Sequence, residues 1–406
     1  MTKSDTQRPW AVLLMAAAFL VVVTLGIRQA FGLFLLPITE ALGSGREVFS
    51  LALAFQNLLW GLSSPFAGAL ADKFGAGRIA AVGTVLYSGG LIVMALFVSP
   101  DGLMIGHVMI GLGLGSAGVS IALGAVARAV APEKRSLALG LVTSIGSFGQ
   151  FAILPITQIF IDGYGWQVSL LLLSGLSASM IASCLLLARD ESTRKVSSAN
   201  LAHMTARRML KKATTDSDYL YLTIGFFVCG IQVVFIATHL PTYLQDSGIS
   251  ADIASWALGL VGLFNIVGSL AAGWLGSFIS KKKLLAWLYL LRSLIILGFL
   301  VLPPSPATAL IFGAAMGLLW LGTIPLTSGL IVVFFGPAFL SMLYGVAFFS
   351  HQIGSFFGAW LGGWIYDRFG SYDMMWWIII GSGLFAFFIN LLIDESPKDE
   401  EPAPAE

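Results

Sequence analysis

Twelve long apolar stretches fill nearly the whole of this 406-residue sequence, and the second six repeat the first six at an offset of about 205 residues. Leu36-Pro37, at the end of the first stretch, recurs as Leu240-Pro241. An acid and two glycines recur late in each half, as Gly140, Asp162 and Gly165 and then as Gly345, Asp367 and Gly370. Because the repeat unit is a set of six apolar stretches, the sequence predicts two copies of one helical bundle, an arrangement typical of membrane carriers.

Composition excludes a water-soluble globular protein. Hydrophobic residues make up 57% of the chain and charged residues only 11%, whereas an ordinary soluble domain is about 25% charged. The net charge of +1 provides no basic field for nucleic acid. The two cysteines, Cys184 and Cys229, lie inside apolar stretches, where a thiol packs as a small hydrophobic group, so no disulfide framework is expected.

Each stretch is long enough to cross a hydrocarbon core about 30 Å thick, which takes about 20 helical residues. The runs are continuously apolar and lack the alternation of barrel strands, so we predict helices. Segments 1 to 6 are placed at 10–36, 48–70, 79–98, 103–127, 137–160 and 167–188, and segments 7 to 12 at 218–243, 254–278, 284–302, 307–333, 338–366 and 372–393. The predicted fold is an all-α membrane protein with twelve transmembrane helices in two pseudo-symmetric six-helix bundles.

The distribution of Lys and Arg predicts the orientation. With the amino terminus in the cytoplasm, Arg46 and Arg368 are the only basic residues between segments that fall outside. Since cytoplasmic loops carry the excess of basic residues, both termini are expected in the cytoplasm and the protein in the cytoplasmic (inner) membrane.

One long polar connection, residues 189–217, divides the chain into an N-terminal bundle (1–188) and a C-terminal bundle (218–393). Two interpretations of this linker stay open. Its basic pairs, with the apolar Leu201, Met204 and Leu210, predict an amphipathic helix on the inner leaflet, or else it is a tether whose charges only fix the topology. The acidic, Pro-Ala-containing tail, residues 394–406, is predicted to be disordered and cytoplasmic.

The connector between segments 2 and 3 runs from Gly68 to Arg78 and contains Asp72. Its glycines allow a tight turn, and Asp72 can hold a basic group or a helix terminus in one conformation and release it in another. With its twelve segments and central linker, the whole chain resembles the major facilitator superfamily. The resemblance implies a cytoplasmic gate formed by Gly68, Asp72 and Arg78, whereas the second copy of the connector has Ser277 in place of the acid.

Arg28 is the strongest functional candidate. It lies about 27 Å from the inner end of segment 1, and the family resemblance implies that this segment lines a central cavity. No Asp or Glu lies clearly inside a predicted segment, because the acids sit at segment ends or in connectors. A buried Arg is unfavourable unless it faces water, a partner or an anion. We therefore expect a substrate anion as the counter-ion, with snorkelling to the outer headgroups as the alternative.

Two further polar positions are predicted to lie near Arg28. The repeat offset places Gln232 of segment 7 opposite Arg28, on a helical stripe that continues to His239. His351 in segment 11 is able to change protonation near neutral pH, so we predict that it couples transport to protons or supplies a second cation. The alternative for Gln232 and His351 is a hydrogen bond to a neighbouring helix without any ligand.

A narrower resemblance follows from Phe31-Gly32-Leu33-Phe34 and Leu36-Pro37, which are similar to the first helix of monocarboxylate-transporter-like carriers. In that branch, which includes the oxalate/formate exchangers, a cation follows a Tyr-Gly pair in segment 11. Tyr344-Gly345 and His351 match this layout, with His in place of the exchangers' Lys. The branch implies monocarboxylates or dicarboxylates as cargo. Asn265 stands in segment 8, where animal members have an Asp-Arg pair, so their proton mechanism does not transfer.

The remaining polar positions are secondary candidates. Arg292 in segment 9 is expected to snorkel or to make a helix–helix contact. His107 in segment 4 is expected at the outer interface, with a proton-handling role as the alternative. Other polar or aromatic side chains on predicted cavity helices complete a possible lining, or serve only in packing: Asn265, Trp320, Gln56 and Gln150.

Motifs for nucleotides, metals or nucleophilic catalysis are not found in the sequence, so neither an enzyme nor a cofactor is expected. The sequence predicts a secondary active transporter that moves a small organic anion by alternating access, coupled to protons, and functions as a monomer in the bilayer. Two alternatives stay open: an exporter of lipophilic or amphipathic compounds, and a non-transporting sensor on the same fold.

Overall fold

The computed structural model describes residues 10–130, 132–191, 206–337 and 339–398, and every regular element in these ranges is an α-helix. The helices are α1 (Trp10–Leu42), α2 (Arg46–Phe74), α3 (Ala76–Leu96), α4 (Pro100–Ala117), α5 (Val119–Ala129), α6 (Pro132–Ala178), α7 (Met180–Glu191), α8 (Ala206–Thr215), α9 (Ser217–Asp246), α10 (Ala251–Leu275), α11 (Lys281–Val301), α12 (Pro306–Leu319), α13 (Thr323–Phe335), α14 (Leu340–Phe369) and α15 (Asp373–Leu391).

The twelve predicted membrane segments are confirmed, although their helices are divided differently. Within the described residues, nine helical stretches are long and apolar enough to cross a membrane, and one of them, Ala138–Ala188, is 51 residues long. That stretch bends at Gly165, so it supplies two crossings. Helices α2 and α14, of 29 and 30 residues, supply the last two. These two helices pack against each other between the bundles, where Gln352 of α14 donates a hydrogen bond to the backbone oxygen of Asn57 of α2.

The internal repeat is visible in the backbone. Gly43 and Gly248 have φ angles of 58° and 81°, and Gly165 and Gly370 have φ angles of 81° and 68°. These positive values favour glycine because a side chain would clash in the left-handed region. The members of each pair are 205 positions apart, so the repeat keeps a glycine with positive φ in both bundles, although ψ is 164° at Gly165 and 10° at Gly370.

Segments 4 and 10, which are equivalent in the repeat, are each broken into two helices. Both begin with a serine cap followed by proline, at Ser99 and Ser305, and the two caps share φ −154° and ψ 159°. The first break lies at Gly118, between α4 and α5, and the second lies between α12 and α13 near Trp320. The sequence predicted one continuous helix for each segment, and that detail is wrong.

Each bundle has its own buried core. One cluster of buried apolar side chains is drawn from residues 13–187, and the other almost entirely from residues 209–393. The bundles meet through three helix pairs: α1 with α9, α2 with α14, and α6 with α10. The last two pairs exchange places under the repeat, so the interface has the same pseudo-symmetry as the bundles.

Helices α2 and α14 touch at one level and separate toward one end of the molecule. A side-chain carbon added at Gly61 of α2 would lie 2.7 Å from Gln352 of α14. Gly68 and Gly345 lie seven residues further along the same two faces, yet a carbon added at either would have no described atom within 4 Å. We call this separated end the Lys73 end and the opposite one the Arg46 end.

The equivalent pair, α6 with α10, diverges in the same direction. Asn265 of α10 donates a hydrogen bond of 3.0 Å to Ser147 of α6. Gly140, seven residues from Ser147 on the same face, again has open space around an added carbon. The two bundles are therefore in contact at the Arg46 end and apart at the Lys73 end.

Part of the linker forms the basic helix α8, whose buried Met209 and Ala213 pack on the core of the second bundle. Arg207 and Lys211 on its other face are exposed. Residues 192–205 of the linker, including Leu201 and Met204, lie outside the described residues. The packed apolar face is therefore covered by protein in this structure.

The predicted disorder of the tail is wrong for residues 394–398. The carboxylate of Glu395 accepts hydrogen bonds from Ser280 Oγ at 2.6 Å and from the backbone N–H of Lys281 at 3.1 Å, at the start of α11. Lys398 forms an ion pair with Asp218 at the start of α9. These charge-assisted contacts hold the segment on the second bundle, while residues 399–406 lie outside the described part of the chain.

Candidate functional site between the two bundles

The Arg28 guanidinium points from α1 into the space between the bundles rather than toward lipid headgroups. Its Nη2 donates to Asn57 Oδ1 of α2 at 2.9 Å, and its Cζ lies 4.8 Å from the centre of the Trp60 ring. No carboxylate of the described residues contacts it, and its Nε is buried without a hydrogen-bond partner. A cation held by a neutral amide and an aromatic face retains unused capacity to bind an anion.

A small cavity adjoins Arg28 and has room for about one water molecule. It is lined by Arg28, Phe31, Gly32, Leu53 and Asn57 from the first bundle and by Val234, Ala237 and Thr238 from the second. The Thr238 hydroxyl is buried and has no partner among the described residues. A side-chain carbon at Gly32 would overlap the carbonyl oxygen of Ala237, so this glycine permits the close approach of α1 to α9.

A chain of hydrogen bonds connects Arg28 to His351 across the bundle interface. Gln352 of α14 donates from Nε2 to the backbone oxygen of Asn57 at 3.1 Å. Its Oε1 lies 3.1 Å from His351 Nδ1. The His351 ring also lies parallel to Phe348, with ring centres 5.9 Å apart. The structure thus brings the two leading candidates into one polar network.

Gln232 and His239 are not part of this network. Both are fully buried inside the second bundle. The amide of Gln232 donates to a backbone carbonyl of α15 at 3.0 Å and accepts from Arg292 at 3.4 Å. His239 contacts the hydroxyl of Tyr372 at 3.1 Å and a backbone carbonyl of α14 at 2.8 Å. Gln232 therefore makes the interhelical hydrogen bond that was its alternative interpretation, and His239 likewise bonds to neighbouring helices.

Arg292 is fully buried, so the snorkelling interpretation is wrong and the helix–helix contact is correct. Its guanidinium donates to the carbonyl oxygens of Leu319, at 2.6 Å from Nη2, and of Trp320. These carbonyls end α12 and lack helical partners because the helix stops there. The guanidinium also donates to Cys229 Sγ at 3.3 Å.

Asn265 and Trp320 belong to the same break between α12 and α13. Asn265 Oδ1 accepts from the backbone N–H of Leu321 at 3.0 Å, while its amide nitrogen reaches Ser147 in the other bundle. Trp320 is buried beside the break. Neither residue lines the Arg28 cavity.

Gln56 and His107 form a fully buried pair in the first bundle, with Oε1 and Nδ1 2.7 Å apart. The predicted interfacial position of His107 is therefore wrong. The unused Nε2 atoms of both side chains are buried without partners. Gln150 is buried where α6 meets α10, against Gly262, and its Oε1 also lacks a partner.

The connector predicted to act as a gate is a single-residue turn. Gly75, with φ 99°, separates the end of α2 from the start of α3. Asp72 lies in the last turn of α2 and Arg78 in the first turn of α3, at the separated end of the molecule. The gating role of Gly68, Asp72 and Arg78 stays a prediction.

The contacts that close the opposite end were missed by the sequence analysis. Arg46 of α2 forms a bidentate pair with Asp246 of α9, at 2.6 and 2.8 Å, and donates to the Tyr372 hydroxyl at 3.1 Å. The Asp367 carboxylate of α14 accepts the backbone N–H groups of Arg46 and Glu47 at the start of α2, at 2.8 and 2.7 Å. We call these five residues the Arg46 network.

One signal in the sequence pointed to this network. Arg46 was one of two basic residues predicted on the outer side, where such residues are rare, and the other, Arg368, also lies at this end, 3.6 Å from Glu47. The sequence marks Asp367 only as the repeat of Asp162 and gives no sign of its hydrogen-bond partners. Its equivalent, Asp162, has a different partner, because its Oδ1 accepts from Gln158 at 2.8 Å. The network is therefore a feature of one half of the repeat.

Comparison with known proteins places the chain in a family. The family model of the Major Facilitator Superfamily matches residues 14–250 and, in a second match, residues 222–406. The chain is 26% identical over 379 residues to a Bacillus subtilis (strain 168) protein named uncharacterized MFS-type transporter YcxA, with 91% of each chain covered. It is 24% identical over 425 aligned positions to monocarboxylate transporter 13 of Rattus norvegicus, covering 98% of this chain and 96% of the relative. Monocarboxylate transporter 11 of Mus musculus is 26% identical over 392 residues, covering 90% and 83%.

Proposed function

The chain belongs to the Major Facilitator Superfamily, and from that premise we propose that it carries a small organic anion, a monocarboxylate or dicarboxylate, across the cytoplasmic membrane. Members of this family are multi-pass membrane transporters of small molecules and are not enzymes. The proposal has five parts beyond membership of the family: the class of the anion, alternating access, coupling to protons, function as a monomer and the cytoplasmic position of both termini.

One observation carries the anion proposal. Arg28 lies between the bundles, donates to the neutral Asn57, lies over the Trp60 ring, contacts no carboxylate of the described residues, and has a buried Nε without a partner among them. A carboxylate bound there would supply the missing negative charge and more than one acceptor for the guanidinium. Two relatives that carry the name monocarboxylate transporter support the same cargo class.

The two ends of the molecule support an alternating-access cycle. In the predicted orientation the Lys73 end is cytoplasmic, so the structure corresponds to a state open to the cytoplasm and closed outside. A carboxylate enters, pairs with Arg28 and neutralises the charge that would otherwise be enclosed. The bundles then rock about the three helix pairs, the Arg46 network separates and the connector with Gly68, Asp72 and Arg78 closes the other end.

His351 is the proposed site of proton coupling. It is 7% exposed, and its Nδ1 contacts the amide that reaches Asn57, the partner of Arg28. A change in its protonation therefore changes a hydrogen bond in the same network that holds the anion-binding cation.

The central test is uptake by Arg28→Ala in proteoliposomes supplied with labelled monocarboxylates and dicarboxylates. Loss of the guanidinium should reduce uptake by at least about tenfold, since a charge-assisted hydrogen bond contributes about 1.5–3 kcal/mol. Arg207→Ala, which removes an exposed cation of α8, is the matched control and should transport normally. Wild-type uptake by a folded Arg28→Ala variant would remove Arg28 from the site.

Export of lipophilic compounds is the second candidate function, and one observation favours it. Aromatic rings meet across the bundle interface, at Phe55 with Phe356 and at Trp60 with Phe348, with ring centres 5.4 Å apart in both pairs. A thermal-shift screen separates the two candidates because a ligand stabilises the folded state to which it binds. Stabilisation by lipophilic compounds and not by carboxylates would favour the exporter.

A further inference from the structure

Arg292 is a buried cation for which the described part of the chain provides no carboxylate partner. It is 0% exposed, and its acceptors are two backbone carbonyls, the amide oxygen of Gln232 and the sulfur of Cys229. Dipoles alone compensate a buried charge poorly, so a counter-ion is expected within contact distance. Cys229 Sγ, 3.3 Å from Nη1, is the one acceptor of the four that becomes an anion by losing a proton.

The surroundings of Cys229 are unusual for a thiol inside a membrane helix. It is fully buried in α9 and lies 3.4 Å from the Thr323 hydroxyl of α13. The titratable or charged groups facing it are Arg292 and Tyr289 from α11 and His351 and Tyr344 from α14. His351 packs against the same turns of α9: its ring centre lies 4.8 Å from that of Phe226, and a side-chain carbon added at Gly230, next to Cys229, would overlap the His351 carbonyl oxygen. Cys229 therefore stands between a permanent cation and the histidine of the Arg28 network.

We propose that Cys229 is a thiolate paired with Arg292 and that it takes up the co-transported proton from His351. This inference rests on the proposed proton-coupled transport and names the group that stores the proton. Cysteine takes the place of a carboxylate at this point, because it is an acidic side chain in direct contact with a buried cation that no carboxylate of the described residues contacts.

The proton transfer is balanced within three groups. The imidazole of His351 accepts a proton from water between the bundles, and one proton passes from the ring to the thiolate. An S–H bond forms, the imidazole returns to its neutral form, and Arg292 keeps its charge but loses its anion. To release the proton, the thiol returns it to the His351 ring, and the ring passes it to water. Since His351 also contacts Gln352, and Gln352 contacts the Asn57 that holds Arg28, the transfer changes the network at the anion site.

The two cysteines of the chain make a direct test possible. Cys184→Ser leaves Cys229 as the only thiol, and Cys229→Ser leaves Cys184, which is buried beside Thr84 at 3.5 Å and has no ion-pair partner among the described side chains. The infrared S–H stretching band of each variant is recorded at about pH 5 and about pH 8, on either side of the ordinary pKa of histidine. The Cys184→Ser protein should lack the band at about pH 8 and gain it on acidification, whereas Cys229→Ser should show it at both. An S–H band of Cys184→Ser at about pH 8 overturns the thiolate.

Uptake measurements test the coupling separately. Cys229→Ser should lose the pH dependence of carboxylate uptake, and Cys184→Ser should retain the wild-type profile. A thiolate detected by infrared together with an unchanged profile in Cys229→Ser overturns the proton-storage role. If wild-type protein moves no carboxylate at any pH, the proposed function fails, and the infrared result then decides the Arg292–Cys229 pair on its own.

Discussion

Thr238 shows how a single side chain can be unfavourable for folding and useful for binding. Its hydroxyl lines the Arg28 cavity and is buried without a partner. A buried polar group that makes no hydrogen bond lowers stability, and Thr238 also faces the cavity where the proposed solute binds, so we infer that the solute supplies its missing partner. Sequence inspection passed over Thr238 because a threonine in an apolar helix most often bonds to its own backbone.

Thr238→Val should therefore raise stability and weaken binding. Removing the unpartnered hydroxyl is expected to increase the free energy of unfolding by about 1 kcal/mol, and loss of a hydrogen bond to a carboxylate should weaken affinity by about tenfold. Thr242→Val is the matched control, since its hydroxyl is also buried and unpartnered but does not line the cavity. Thermal unfolding and carboxylate titration of both variants check this. Equal affinities in the two would show that Thr238 does not contact the solute.

Residue-level prediction succeeded where a charge had few possible neighbours and failed where only helical periodicity was available. The acids lie at segment ends or in connectors, so the sequence offered Arg28 no carboxylate at its depth, and none of the described residues supplies one. Gln232 was placed opposite Arg28 by the repeat offset. Equivalent positions in a pseudo-symmetric pair share depth and helix, but their side chains meet different neighbours, and Gln232 contacts α15 and Arg292.

At the scale of elements, the start of α11 depends on the carboxyl-terminal segment. The Glu395 carboxylate accepts from Ser280 Oγ and from two backbone N–H groups that lack helical partners. Burial alone would raise the pKa of Glu395, but these hydrogen bonds and the nearby Lys281 outweigh it and hold the pKa below its ordinary value. No local pattern predicted this, because the residues lie more than 110 positions apart.

Glu395→Gln should destabilise the protein in a pH-dependent way. A carboxyl whose folded pKa is depressed contributes fully above its unfolded pKa of about 4.3, and the contribution disappears as the pH falls through the folded value. The difference in Tm from wild type should therefore be present near neutral pH and vanish well below about pH 4. At neutral pH we expect a loss of about 0.5–2 kcal/mol, as for other helix caps.

The control for that measurement is Glu40→Gln, which removes an exposed carboxylate in α1 and should leave Tm unchanged throughout. A constant difference between wild type and Glu395→Gln at all pH values would show that the amide fails for steric reasons and that the ionised cap is unimportant.

The ends of helices were predictable where they coincide with the ends of apolar runs. They were less predictable where tertiary packing interrupts a run. The breaks in segments 4 and 10 lie inside continuously apolar runs, so hydropathy gives no sign of them. The second break is maintained by tertiary contacts of Arg292 and Asn265 with the free carbonyl and N–H groups at the gap. In contrast, the turns at Gly165 and Gly370 fall at the repeated glycines that the sequence exposed.

At the scale of the whole molecule, two-bundle architecture followed from the repeat, but the conformational state did not. The Arg46 network joins residues that are 200 to 326 positions apart and has no second copy among the described residues. Pseudo-symmetry alone cannot say which end is closed, since each end has equivalent helices. The Arg46 network determines which end is closed, because its charges stabilise contact between the bundles at that end. The described residues of the α6–α10 pair contain no equivalent network.

Alternation between the two ends predicts that the separated faces of α2 and α14 meet in the other state. Gly68 and Gly345 continue the faces that touch at Gly61 and Gln352, and both have open space here. In a Gly68→Cys, Gly345→Cys double variant, a disulfide should form under mild oxidation only as molecules reach the state closed at the Lys73 end. It should abolish uptake, and reduction should restore uptake.

Breaking the Arg46 network should accelerate this cross-linking. Asp246→Asn removes the partner of Arg46, a partly exposed pair that contributes about 1 kcal/mol, which shifts a two-state population by about fivefold. The rate of disulfide formation, followed by electrophoresis, should rise by a similar factor when Asp246→Asn is added to the cysteine pair. The native Cys184 and Cys229 are buried, and each single-cysteine variant at position 68 or 345 serves as the control. Cross-linked protein that transports at the wild-type rate would rule out movement of these two helices, because a covalent bond across the Lys73 end is incompatible with rocking of the bundles.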